Sequence, residues 1–255
     1  LLAGLIVATI CGIVSVFVVL RRTAFAAHAL GHMSLTGAAG AALLGISGLV
    51  GQLLLNAVAA VAMGLMGEKV KKNDLAIGVV LTFVLGLGAY FLFLFQNNYA
   101  GSVVSILFGN IFAVSHAQLT QLSALAVLIL LTMLIISRPL IFASIDPVVA
   151  SSKNVPLKLL SVVFFLVLAV TVSMACQVVG ALLVFVLLII PGAIGMQWGR
   201  TITTTIIISV CSANLAIVAA LYVSYFFDLP ASFCITMLLC VGYFTGIIKK
   251  LVIRS

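Results

Sequence analysis

Charge is what this chain has least of. Charged residues make up 6% of its 255 positions, and only four are acidic: Glu68, Asp74, Asp146 and Asp228. A soluble domain needs far more polar surface, which excludes a soluble globular protein. All four acids fall in the connections between apolar runs. Carriers driven by protons or sodium commonly keep a carboxylate inside the membrane for the coupling ion, and this chain has none to offer. A GxxxxGK[ST] phosphate loop is also absent, so ATP hydrolysis by that route must come from another chain. No CxxC pair occurs among Cys11, Cys176, Cys211, Cys234 and Cys240, which read as small buried hydrophobes. Alternating polar and apolar strands are missing too, against an outer-membrane barrel.

What is present is hydrophobic length. Apolar residues make up 65% of the chain, and the runs between charged clusters suit membrane helices of about 20 residues. The expected fold is all-α: a polytopic transmembrane helical bundle of about eight to nine membrane helices, one domain over residues 1–255. Leu1 to Leu20 has the length of a span, so no separate signal peptide is expected ahead of it. The other spans are read as about Thr23–Leu44, Gly48–Met66, Leu75–Phe95, Leu119–Ser137, Leu159–Ala175, Val179–Gln197, a span following Arg200 to about Phe227, and one ending at Ile248. Gly101–Ser115 is too short to cross and reads as a re-entrant or interfacial helix broken near Gly109–Asn110. Gly37, Gly40, Gly45, Gly48 and Gly51 imply close helix approach or a tight reversal. Pro191–Gly192 should kink the seventh span.

Net charge is +8, from 12 Lys+Arg against the four acids. In a soluble chain this would suggest nucleic acid. Here the basic residues sit at span ends, so the expected partner is membrane lipid and not nucleic acid. The connections after spans one, three, five, seven and nine hold all 12, and the alternate connections hold none. The positive-inside rule then places the amino end outside and the carboxyl end in the cytoplasm. In the connection from Arg138 to Lys158, Asp146 precedes Pro147. An Asp N-cap with Pro at the first helical position starts a short cytoplasmic helix, Pro147 to about Ser152. It is either a docking element for a partner that supplies energy or a turn lying on the lipid surface.

The most informative stretch is Arg21 to Gly40, RRTAFAAHALGHMSLTGAAG. His28 and His32, at i and i+4, share one helix face. Taking the arginines as the membrane boundary, His28 lies roughly 10 Å deep and His32 roughly 15 Å. That is near the middle of a hydrocarbon core ~30 Å thick. Ionisable groups at such depth usually line an internal path. Two readings follow: the pair touches a divalent metal in transit, or both rings are neutral and hydrogen-bonded to neighbouring helices. Gln52 and Asn56 form another i, i+4 pair, and Asn56 and Gln177 read as pathway or helix-contact groups. His116 reads as an outer-side histidine, solvated or at the metal's entry. Met33 reads as packing or as a soft ligand.

Several landmarks occur in one order: VVLRRTAFAAHALGHMSLTGAAG, DLAIGVVLTFVLGLG, SILFGNIFAVS, IDPVVA and QVVGALLVFVLLIIPGAIG. In these the chain resembles, from near its first residue to its last span, the permease subunits of the zinc/manganese-type ABC importers. The resemblance implies a homodimeric permease with no catalytic residues in the bacterial cytoplasmic membrane, served by cytoplasmic ATP-binding subunits and an extracytoplasmic metal-binding protein. It implies no covalent cofactor, with Zn²⁺ (or Mn²⁺) as the transported substrate, and makes Asp146–Pro147 the ATPase-coupling element. In the family the segment after span one carries an aspartate four residues before a histidine, both implicated in handling the metal. The histidine matches His32, and His28 stands at the aspartate position. Two neutral imidazoles favour a borderline-soft ion such as Zn²⁺, whereas a carboxylate also suits Mn²⁺. Two other classes stay open: an ATP-driven permease for a chelate or vitamin, which would want a wider aromatic path, and an intramembrane metal-dependent enzyme, which would want a general base beside the metal.

Overall fold

The computed structural model describes residues 1–67, 74–94, 109, 114–153 and 155–254. In chain order the helices are α1 (Leu2–Leu20), α2 (Ala24–Leu43), α3 (Gly48–Met66), α4 (Asp74–Leu94), α5 (His116–Ile145), α6 (Pro147–Ser152), α7 (Leu157–Val179), α8 (Ala181–Trp198), α9 (Ile202–Phe227) and α10 (Ala231–Arg254). No strand occurs among the described residues. Among the described residues eight helices are long and apolar enough to cross a membrane: all except α2 and α6. The protein is an all-α, multi-pass membrane bundle.

The exception of α2 is physically informative. It has 20 residues, enough for a crossing, but histidines, Ser34, Thr36 and glycines dilute its apolar character. It packs against α3, α4, α7 and α8. A helix walled in by other helices meets little lipid, so its own side chains need not be uniformly apolar. With α2 included, nine helices are long enough to cross. α1 is the other hub, touching α5, α7, α8 and α9.

Small residues set the closest approaches. A Cβ at Gly37 would lie 2.6 Å from the Gly51 carbonyl oxygen, and a Cβ at Gly51 would meet Gly37 O. Gly45 turns the chain between α2 and α3 with φ +68. The glycine-rich tail of α2 therefore serves both close approach and reversal. Elsewhere Gly12 lies against Val210, Gly64 against Val162 and Gly192 against the backbone of Ser15.

Three boundaries differ from the sequence reading. α5 does not stop at Ser137 but runs 30 residues, through Arg138 and Pro139. Leu140 and Ala143 are buried on that extension, and their packing outweighs the backbone bond that Pro139 cannot make. α7 runs longer than expected, to Val179, so that α8 begins at Ala181 and Gly180 alone, at φ +82, separates the two. α8 itself continues unbroken through Pro191 to Trp198. The re-entrant segment read at Gly101–Ser115 lies largely outside the described residues. Of it, Gly109 is described (φ +68) and sits against Val179 and Gly180, and Ser115 caps α5 by accepting from the Gln118 N–H.

The ends assigned to the outside lie together. Leu1, Leu2, Val114, Ser115 and His116 line one cavity of about 390 Å³. On the opposite side buried Arg21 reaches Ser161 Oγ at 3.4 Å and covers the Phe164 ring at 5.0 Å. This ties the α1–α2 corner to the first turns of α7.

Candidate metal pathway

α2 supplies the site because its period of 3.6 residues stacks positions 28 and 32 on one side. The ring centroids of His28 and His32 are 4.5 Å apart and nearly perpendicular, at 81°. On its other side His28 meets Phe185 of α8, 4.6 Å away at 68°. Both imidazoles are half-buried, neither sealed in the core nor fully exposed. His28 Nδ1 is enclosed without a hydrogen-bond partner. Among the described residues no hydrogen bond joins either ring to another helix. A pair held as neutral structural histidines would have such bonds.

The opposite face of α2 is structural. Asn56 of α3 is fully buried, and its Nδ2 donates to Ser34 Oγ at 2.7 Å and to Ser173 Oγ at 2.9 Å. Ser34 in turn donates to the Leu30 carbonyl at 3.0 Å. One amide thus pins α2, α3 and α7 together. Gln52, one turn earlier, is also buried, and its Oε1 has no partner. Gln177 is half-buried on the last turn of α7. Among the described residues no hydrogen bond joins Asn56 or Gln177 to the histidine rings. His116 opens α5 and is exposed, at the end of the bundle where Leu1 and Leu2 lie. Met33 is buried core.

Replacing Asn56 by Ala removes two buried hydrogen bonds and leaves a small void, so a loss of roughly 2–3 kcal/mol is expected. Thermal unfolding of the detergent-solubilised protein measures it. Transport per folded molecule is expected to hold. A fall in that ratio with unchanged stability would make Asn56 a pathway group.

Asp146 caps α6 as its sequence implies. Its Oδ1 accepts from the N–H groups of Val148 at 3.1 Å and Val149 at 3.0 Å, with Pro147 in the first turn. Ala150 is buried beneath, while Val148 is 75% exposed and Ile145 69%. The short helix therefore presents apolar side chains outward on the basic side of the bundle.

Chemically, two imidazoles supply half of a tetrahedral zinc shell and leave the rest to water or other groups. Among the described residues no cluster of three or more His, Cys, Asp or Glu side chains is available to hold a metal. Sequence reasoning missed Phe185, Ser34 and Ser173. Nothing in the local pattern marks them, because their roles arise only from which helices α2 touches.

An apolar bundle with an enclosed, histidine-bearing helix and a capped surface helix is the architecture of a multi-pass membrane protein with polar groups inside it. Residues 1–250 match the ABC 3 transport family, and the chain belongs to that family, as its ordered motifs implied. The manganese transport system membrane protein MntC of Halalkalibacterium halodurans is 28% identical over 241 residues, covering 93% of this chain and 81% of that protein. The manganese import system permease protein ScaB of Streptococcus parasanguinis is 26% identical over 238 residues, 93% of this chain and 84% of that protein. The solved structure of PsaBC from Streptococcus pneumoniae in complex with Fab superposes with a TM-score of 0.84 at 25% identity, over 96% of this chain and 88% of that one.

Proposed function

We propose that this chain is the membrane-spanning permease subunit of an ATP-driven importer for a divalent transition metal ion, with zinc preferred over manganese. The observation that carries the reading is the half-open His28–His32 ring pair on the enclosed helix α2. Family membership supports the transport class, and manganese is what the relatives' names state of those relatives. The donor set supports the zinc preference. A pair of neutral nitrogen ligands with no carboxylate suits a borderline-soft ion and discriminates against manganese, which prefers oxygen. The uncompensated +2 charge makes the stop brief.

Cytoplasmic ATP-binding subunits supply the energy, docking on α6, where the Asp146 cap and Pro147 fix a helix whose exposed Val148 offers apolar contact. A metal-binding protein delivers the ion from the outer side, and a second copy completes the permease as a homodimer in the bacterial cytoplasmic membrane. The whole of 1–255 acts as one permease domain.

The test is uptake of labelled Zn²⁺ and Mn²⁺ into vesicles holding the whole assembly. Zinc is expected to enter faster, and His28→Asp is expected to raise manganese uptake relative to zinc by about 10-fold, in the range that changes around a metal ligand produce. Equal rates for both ions, unmoved by His28→Asp, would defeat the assignment of metal choice to this pair. Uptake of neither ion would defeat the transport reading.

A further inference from the structure

His28 is held in an unusual way for a metal ligand. Its ring stands steeply tilted against both His32, at 4.5 Å and 81°, and Phe185, at 4.6 Å and 68°. Nδ1 is enclosed and makes no hydrogen bond among the described residues, while Nε2 is not enclosed in this way. A metal-binding histidine almost always donates its second ring N–H to a carboxylate, carbonyl or water, which fixes the tautomer and raises ligand basicity. Here an aromatic hydrocarbon ring packs beside the imidazole, and that acceptor is missing.

We propose that Phe185 is a positioning residue of the pathway: it holds the His28 ring by packing alone, with Nε2 toward the passing ion and Nδ1 denied an acceptor. This rests on the reading of His28 and His32 as a transit point. To bind metal through Nε2, that nitrogen must give up its proton, and the proton must then sit on Nδ1. With nothing to receive a hydrogen bond there, the tautomer is disfavoured and the ligand is weak. Weak binding suits passage, since an ion must leave its site as readily as it enters. Phe185 stands one turn into α8, just after the Gly180 break, so the backbone delivers the ring to α2. Ala181 O lies 3.6 Å from where a Cβ on Gly31 would stand, so the two helices touch at this level.

The experiment is the zinc dependence of uptake by the complete reconstituted transporter carrying Phe185→Gln or Phe185→Leu. Glutamine offers an amide oxygen to Nδ1. It is expected to lower the half-saturating zinc concentration by about 10-fold and to lower the maximal rate with it. Leucine removes the ring without adding an acceptor. It is expected to raise the half-saturating concentration roughly 3-fold, the equivalent of one lost ring contact, with little change in maximal rate. Thermal stability of each variant checks folding, and Phe185→Asn repeats the acceptor should the glutamine variant not fold. Shifts in one direction for both variants, or no shift in either, overturn the role of Phe185. The His28→Ala, His32→Ala double variant separates the two ideas. Its failure to transport alongside inert Phe185 variants rejects only this inference, whereas wild-type uptake by it rejects the pathway and the inference together.

Discussion

Replacing both His28 and His32 by Ala is expected to cut zinc uptake by the intact assembly at least ~100-fold, the upper end of what changes around a metal ligand cost. The two rings stand 4.5 Å apart on one side of α2. They are the only ionisable side chains in that helix. Without them an ion entering the middle of the bundle meets Ala, Gly and Phe, and it must shed water with nothing to replace it. Charge in that environment costs several kcal/mol even by lenient scales. Single variants should lose less, since each leaves one nitrogen ligand. Neither ring is hydrogen-bonded to another helix among the described residues, so folding should survive, as extraction yield and thermal stability will report. Wild-type uptake by the double variant would remove the pathway from α2 altogether.

Gly51→Leu is expected to destabilise the fold severely and to cut the yield of folded protein. Its Cβ would overlap the Gly37 backbone and press on the Ala41 side chain, and the reciprocal position, Gly37, already lies against Gly51 O and Gln52 Cα. Backbone atoms cannot rotate aside as a side chain can, so α2 and α3 would have to part. Membrane helices associate through close packing more than through solvent exclusion, and separation forfeits that packing along the hairpin. Overpacking typically costs 1–3 kcal/mol, and a rigid obstacle places this case at about 3 kcal/mol or above. Against a total stability of roughly 5–15 kcal/mol, that removes between a fifth and more than half of the margin. The yield of monodisperse protein in detergent measures it. Gly86→Ala is the control: a Cβ there meets nothing within 4 Å, and Ala favours a helix over Gly by about 1 kcal/mol. Equal yields for the two variants would show that the hairpin contact does not limit folding.

Much of this arrangement could be read from the chain because its signals are local. Apolar length marks eight spans, and Arg21–Arg22 places the start of the ninth. The Asp146–Pro147 step sets the first turn of α6, since a capping carboxylate and a pre-set proline φ act within a few residues. Other features depend on distant parts. α5 passes Pro139 because Leu140 and Ala143 find buried partners. Asn56 could have lined a path or joined helices, and its hydrogen bonds to Ser34 and Ser173 depend on where α2 and α7 come to lie. Phe185 is one aromatic residue in an apolar run, and only the crossing of α8 with α2 gives it a neighbour to hold.

By itself, then, the order of residues determined a many-helix membrane protein, the basic connections on alternate sides of its spans, its family and the histidine pair one turn apart. Hydropathy, helical period and capping act over one or a few turns and need no partner. Tertiary structure decided that α2 is walled in, that its histidine side remains half open, and that Phe185 rather than a hydrogen-bond acceptor lies beside His28. Those outcomes depend on which helix surfaces meet, and small residues far apart in the chain set how closely they do so.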